Sequence, residues 1–284
     1  NNLVVQKERL GSEKFDIGHV LNTGGGGLGG AAVCYDEYKS GGMSGSPTPT
    51  GEIFYIDLVA HEVGHQFGAP HSFNGTEGGC SGNRWGPAAV EPGSASTIMG
   101  YAGLCGTQNI AFNSTPHFHA DSIAHMLTYV SGDNMWNATC GRKVTLQNEG
   151  PAVDAGEDFT IPANTPFNLN GSVTDTNSDK LSSIWEQMDV GPETASAIQM
   201  VDDGERPLFR SWETTDNPDR TIPRMEDIRD GELSLGETYA TTNRTLTFRL
   251  TSRDGQGGMG ADDVTVTVDA SGDAFAITAP SAGA

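Results

Sequence analysis

The sequence predicts two unlike halves: a mixed α/β (α+β) domain over residues 1–145 and an all-β sandwich over 146–272, with 273–284 as a linker or the start of a further module. Three observations carry that division. Within residues 53–67, Ile56, Val59, Val63 and Phe67 fall at helical spacing and form a candidate buried face. From Asn148 the period drops to two. Phe159-Thr160-Ile161, Phe167-Asn168-Leu169, Leu246-Thr247-Phe248-Arg249-Leu250 and Val264-Thr265-Val266-Thr267-Val268 alternate apolar and polar residues as half-buried strands do. Charge divides at the same place: residues 1–145 hold 7 Lys/Arg against 12 Asp/Glu, and residues 146–284 hold 9 against 25, within a formal net charge of −21. That acidity argues against nucleic acid and anionic membrane surfaces as partners, because both would be repelled.

Along the first half, residues 4–10 predict a short helix and residues 15–21 a strand. The run Thr23-Gly24-Gly25-Gly26-Gly27-Leu28-Gly29-Gly30 reads as a flexible connection, since no Walker lysine follows and no dinucleotide-binding unit surrounds it. On the helix over 53–67, His61 and His65 are four residues apart and share a face, so both imidazoles can reach one metal ion. Glu62 points to the edge of that face, close enough to act on a metal-bound water without being a ligand. Gly68 is expected to stop the helix in a left-handed conformation, and His71 then closes as a third nitrogen ligand. Three protein ligands and an open position are the pattern of a catalytic zinc rather than a structural one. A lone His-Glu-x-x-His arises by chance in many helices; five fixed positions within eleven residues do so much less easily.

The stretch His61-Glu62-Val63-Gly64-His65-Gln66-Phe67-Gly68-Ala69-Pro70-His71 resembles the zinc signature HExxHxxGxxH of the metzincin metalloproteases. Met99, in Ser96-Thr97-Ile98-Met99-Gly100-Tyr101, resembles the methionine of that family's turn, which forms a hydrophobic floor beneath the zinc ligands. Gly29-Gly30-Ala31-Ala32-Val33-Cys34 and Phe118-His119-Ala120-Asp121-Ser122-Ile123 look like the reprolysin (adamalysin-like) branch and extend the likeness over roughly residues 15–140.

The resemblance implies a zinc-dependent endopeptidase that hydrolyses protein or peptide substrates, with Glu62 as general base. It also implies a substrate added as an extra strand to an edge strand, here residues 15–21. His19 in that strand reads as an ordinary strand histidine. A complete metzincin domain has more strands ahead of its active-site helix than sixty residues supply, so an N-terminally truncated domain is expected. Tyr101, two positions after Met99, resembles instead the astacin and serralysin branches, where such a phenol lies near the zinc and could stabilise an oxyanion.

Cys34, Cys80, Cys105 and Cys140 all lie in the first half, outside any CxxC pair, and allow three pairings. The resemblance to reprolysins favours Cys80 with Cys105, clamping the loop that carries the methionine turn, and Cys34 with Cys140. Disulfides imply an oxidising compartment, extracellular (secreted or at the cell surface) or periplasmic, with signal and propeptide expected to be absent from this chain. No stretch of 18 apolar residues exists, so no membrane span is expected.

Residues 72–94 read as an irregular loop in which Arg84 and Trp85 either contact substrate or pack the loop. His117, His119 and His125 share no helical face, which argues against a second zinc. A helix over 121–130, capped by Asp121 or Ser122, is expected to pack beneath the active-site helix. In the second half Trp185 is a candidate core residue, and residues 152–175, 185–187 and 246–268 resemble PKD and related Ig-like modules of secreted bacterial proteins. Residues 190–243 form either a ligand-contacting insertion or an ordered loop packed on the sandwich. Asp254, Asp262 and Asp263 could hold Ca2+, although strand-end turn residues are the commoner explanation. The module could bind polysaccharide or protein. A rival reading is therefore a catalytically silent secreted adhesion or binding protein; the intact set His61, Glu62, His65 and His71 opposes it.

Overall fold

A computed structural model describes residues 2–131, 141, 144–177, 179–194, 196–197 and 200–272. Helix α1 (Asn2–Leu10) opens the chain, followed by β1 (His19–Asn22), β2 (Gly26–Leu28) and β3 (Gly42–Gly45), stacked in the order β1-β3-β2. β1 runs parallel to β3, with His19 opposite Gly42; β2 is antiparallel to β3, with Gly27 opposite Ser44. Two expectations shift here. The strand forecast over 15–21 begins only at His19, because the preceding backbone bonds to the turn before β3: Gly18 N–H donates to Lys39 O at 2.5 Å and Cys34 N–H to Asp16 O at 2.9 Å. The glycine run, expected as a loose connection, contributes β2, where bare backbone pairs with β3.

The helix that carries His61 and His65 begins with wide π-type turns over Ile53–Ala60 and continues as α2 (His61–Gln66). Wide turns change the angular step between residues, so the face Ile56, Val59, Val63 and Phe67 ends up only half-buried, while Phe54 is buried. Gly68 stops the helix as expected, with φ +91°. Ala69 N–H reaches back to Gly64 O at 3.0 Å and Gly68 N–H to His65 O at 2.9 Å, the paired bonds of a Schellman turn.

Helix α3 (Ala120–Ser131) extends the forecast by one residue at each end. Its Met126 packs on a small cluster of Ala69, Ile98 and Met99, and the Tyr129 ring lies where a side chain on Gly68 would have to go, 2.9 Å from the Cβ position. Its first N–H is not bound by Asp121 or Ser122. Ala120 N–H donates to Glu186 Oε2 at 2.8 Å, so a carboxylate from the second half holds this helix start.

The second half contains β4 (Ala152–Asp154), β5 (Phe159–Pro162), β6 (Phe167–Leu169), β7 (Ser172–Thr174), β8 (Ser182–Gln187), β9 (Arg220–Ile222), α4 (Met225–Asp230), β10 (Arg244–Arg253) and β11 (Met259–Asp269). A four-stranded sheet runs β5-β11-β10-β8, and β4–β7 and β6–β9 form two ribbons. Period two does its expected work: Leu246, Phe248 and Leu250 of β10 and Val264, Val266 and Val268 of β11 are buried on a common core. Trp185 joins that core, as do Phe167, Leu169 and Ile222 from the β6–β9 ribbon. Leu208 and Phe209 belong to it too, so part of the long 190–243 connection is ordered core material.

A polar seam joins the halves. Gly93 N–H donates to Thr194 Oγ1 at 2.9 Å, Ser96 Oγ to Ser211 O at 2.8 Å, and Asn74 Nδ2 to Pro192 O at 2.7 Å. Cys80 and Cys105 form a disulfide, with Cα atoms 5.1 Å apart. The expected Cys34–Cys140 pairing and segment 273–284 lie outside the described residues. Among the described residues no helix is long and apolar enough to cross a membrane.

Candidate active site

His61 and His65 project from α2, and His71 returns after the Gly68 turn. Their ring nitrogens converge, with one ligand atom from each within 4.8 Å of the others. The tautomers follow from the partners. His61 Nδ1 lies 2.7 Å from Ile98 O, His65 Nδ1 2.7 Å from Ala69 O, and His71 Nδ1 2.6 Å from Asn83 O. A carbonyl oxygen can only accept, so each Nδ1 carries the proton and each Nε2 presents a lone pair inward.

His61 Nε2 is buried with no hydrogen-bond partner, and His65 Nε2 faces His71 Nε2 at 3.0 Å. Lone pairs held together in this way fit a cation. Zinc suits three imidazole nitrogens, and backbone acceptors behind the rings are the usual means of orienting them. Protonation does not compete near neutrality: burial, reinforced by the His65 charge, holds His61 at about 3 and His71 at about 4, and burial also lowers His65.

Glu62 is buried beside the triad, and desolvation raises its carboxyl to about 7. β2 covers it. A side chain at Gly27 would overlap the Glu62 carboxylate, and one at Gly29 would meet the Glu62 backbone and His65 Cβ. Tyr101 lies across the site, its ring centroid 5.5 Å from His61 and 4.6 Å from His71; burial, then the Glu62 charge, raises its phenol. Met99 is fully buried beneath α2. Gly64 permits its approach, since a Cβ there would sit 2.6 Å from Met99 Sδ. A cleft of about 250 Å3 opens beside His61 and Glu62, lined by Gly26, Gly27, Leu58, Tyr101 and Leu104.

Several residues that position the site escaped the sequence reading. The buried Glu91 carboxylate accepts Ser72 Oγ at 2.7 Å, Ser96 N–H at 3.0 Å and the Thr97 hydroxyl, tying the residue after His71 to the methionine turn. Gln66 Nε2 donates to Gly18 O at 3.1 Å, and its Oε1 lies 2.6 Å from His19 Nδ1, fastening α2 to β1. His19 is thus a sheet residue bonded on both ring nitrogens, as expected. Asn83, whose carbonyl orients His71, sits three residues past the Cys80 disulfide. None of these has a periodic or motif signal; Gln66 lies inside the zinc motif, but at one of its unspecified positions.

Other expectations are resolved by contacts. Arg84 packs its loop, donating from Nε to Asn74 Oδ1 at 2.8 Å and from Nη2 to Gly191 O at 2.6 Å; Trp85 stays exposed. His117 and His119 face the Glu186 carboxylate at 3.6 and 3.9 Å, and His125 faces Asp121 at 3.6 Å, so these three histidines do not converge. The carboxylates suggested for Ca2+ do not converge either. Asp262 accepts Ala155 N–H at 2.9 Å and Asp263 grips Arg249 with both oxygens. Asp254 groups instead with Asp175 and Asp179, and it already accepts N–H groups from Gln256, Gly258 and Asn148.

The three inward-facing histidines form a group able to hold a metal ion. A family description for reprolysin-like metallopeptidases of family M12B matches residues 1–72, ending one residue past His71. These findings support a zinc metalloprotease, with protein or peptide substrates. No curated protein matches the chain.

Proposed function

We propose that this chain carries the catalytic centre of a secreted zinc endopeptidase, followed by a PKD/Ig-like β-sandwich module. The observation that carries the reading is the convergence of three Nε2 lone pairs while each Nδ1 is bound to a backbone carbonyl. Zinc, when bound there, supplies a Lewis acid that polarises a peptide carbonyl and makes a water nucleophilic near neutral pH. Glu62 takes the proton from the attacking water and delivers it to the departing amine. Burial raises this carboxyl in the metal-free site and a bound cation would lower it again, which suits a group that takes up a proton and then returns it. Tyr101, in the wall of the cleft, donates its phenol hydrogen towards the developing oxyanion.

The extended substrate pairs with the free edge of β2 rather than with the stretch 15–21, because Gly26 and Gly27 of β2 line the cleft and leave its backbone open. The Cys80–Cys105 disulfide supports an oxidising, extracellular location. Period-two strands sharing one core with the β6–β9 ribbon support the sandwich reading of the second half. The test is Glu62→Gln: it is expected to retain one zinc per chain while cleavage of a quenched-peptide mixture falls by about 10²- to 10⁴-fold. Undiminished cleavage would refute the role of Glu62, and absence of zinc in the parent protein would refute the reading as a whole.

A further inference from the structure

Among the described residues a cavity larger than the cleft beside the histidines lies elsewhere. It measures about 660 Å3 and lies in the second half, with Arg210, Trp212, Arg220 and Arg224 in its walls and Thr115 of the first half contributing. Three of the nine basic side chains in residues 146–284, a stretch with 25 acids, therefore meet at one place.

These three guanidiniums are held differently. Arg220 Nη2 pairs with the buried Glu237 carboxylate at 2.7 Å, and Arg224 Nε pairs with Asp227 at 3.1 Å. Arg210 takes part in none of the ion pairs among the described residues; its donors go to the carbonyl oxygens of Ile110 at 2.7 Å and of Ser211 and Leu235 at 3.4 Å. Arg210 and Arg224 each lie 4.2 Å from the centre of the Trp212 ring, and Trp212 Nε1 is anchored on Glu237 at 2.7 Å. The forks are thus ordered in advance by stacking. Burial, with the nearby Arg224 and Arg220 charges, holds Arg210 below the usual arginine value even though Glu91 and Glu237 act the other way. Converging, partly desolvated cations with one unpaired member favour uptake of an anion, and a carboxylate matches the guanidinium fork.

The rim narrows the choice. Exposed Glu213, Asp219 and Glu226 line the same cavity, with Asn217 beside them. A densely charged polyanion would meet these acids unfavourably. A sugar ring would use them, because carboxylate and amide oxygens accept hydroxyl hydrogens. A peptide C-terminus offers the carboxylate but not the row of hydroxyls.

We propose that this cavity binds an acidic glycan in which an isolated uronate stands among neutral sugars, its carboxylate on Arg210 and Arg224 and its hydroxyls on Asp219, Asn217 and Glu213. The site is separate from the histidine cleft, so the proposal does not depend on the peptidase reading. Calorimetric titration of the full chain with a glucuronate-terminated trisaccharide tests it, alongside the same trisaccharide with glucose at that end, polygalacturonate, and a peptide with a free C-terminal carboxylate.

The uronate trisaccharide is expected to bind about tenfold or more tightly than its neutral counterpart, and more tightly than the peptide or, per sugar residue, the polyanion. Arg224→Gln is expected to remove most of that preference while the chain stays folded, since this side chain is 41% exposed and Asp227 keeps its bonds to Ser234. Arg210→Gln should do the same but also loses the bond to Ile110 O, so Arg224→Gln is the cleaner variant. Equal binding of charged and neutral sugars, preference for the peptide or the polyanion, a preference that survives Arg224→Gln, or no binding of the trisaccharide at about 10 mM would each overturn the proposal.

Discussion

The two halves of the chain are held by different forces. Among the described residues of the second half sixteen buried side chains form one apolar core. Among the described residues of the first, the apolar clusters have four and three buried members, and buried Gln66, Ser72, Glu91, Ser96 and Thr97 do much of the joining. Apolar burial is non-directional, so it secures a sheet without aiming any particular atom. Hydrogen bonds are directional, and aiming three ring nitrogens at one point requires fixed acceptors behind each ring. The site therefore sits in the half rich in polar networks. Glu186 belongs to both halves, since it lies in β8 and binds the start of α3.

The largest expected effect tests the apolar half. Phe248→Ala should cost about 3–5 kcal/mol in denaturant unfolding, while zinc affinity of the folded fraction stays at the parent value. Zinc loss before unfolding would break the contrast. Glu186→Ala should cost about 3 kcal/mol, because it leaves the α3 start and the Ser211 hydroxyl without their acceptor in the seam. Burial alone would raise the Glu186 carboxyl, but the His119 and His117 charges and the Ala120 N–H outweigh it and hold the carboxyl at about 2. One cooperative unfolding transition is expected for this variant, and two separated transitions would show that the seam does not couple the halves.

Glu91→Gln sharpens the comparison from the polar side. Zinc affinity should fall by about 10- to 100-fold, measured by competition with a chromophoric chelator, with the sheet unfolding nearly as before. Gly64→Ala should cost about 1 kcal/mol, towards the low end for overpacking, because the Met99 side chain it meets is flexible.

The smallest effect is a pH dependence of the metal-free protein. Glu62 has a folded value of about 7, above the 4.5 of the unfolded chain, so its contribution is present below pH 4.5 and lost as pH rises through 7. Above pH 7 metal-free Glu62→Gln should unfold about 2–4 °C higher than the parent, on the order of 1 kcal/mol for a partly hydrated carboxyl, and the gap should close below pH 4.5. His61 at about 3 and His71 at about 4 act oppositely: their contribution is present above pH 6.5 and is lost as pH falls through those values, in both proteins.

Much of the local structure was legible without coordinates because it rests on near neighbours in the chain. The spacing of His61, His65 and His71 around Gly68, the alternation in β10 and β11, and the two main helices each follow from a local period or a local backbone requirement. The errors have a common source. The half-buried face of the active-site helix, the glycine run that became β2 and the Glu186 bond at the start of α3 each depended on what another part of the chain placed opposite. By itself, then, the sequence determined which side chains could hold a metal and which strands would bury a face, since periodicity and ligand spacing act within a few turns of backbone. Only the tertiary structure decided what stands behind each ring nitrogen, which edge lies over Glu62 and where Arg210 and Arg224 meet around Trp212. Most of those contacts, such as Ile98 behind His61 and β2 over Glu62, join residues far apart in the chain, and no periodicity encodes them.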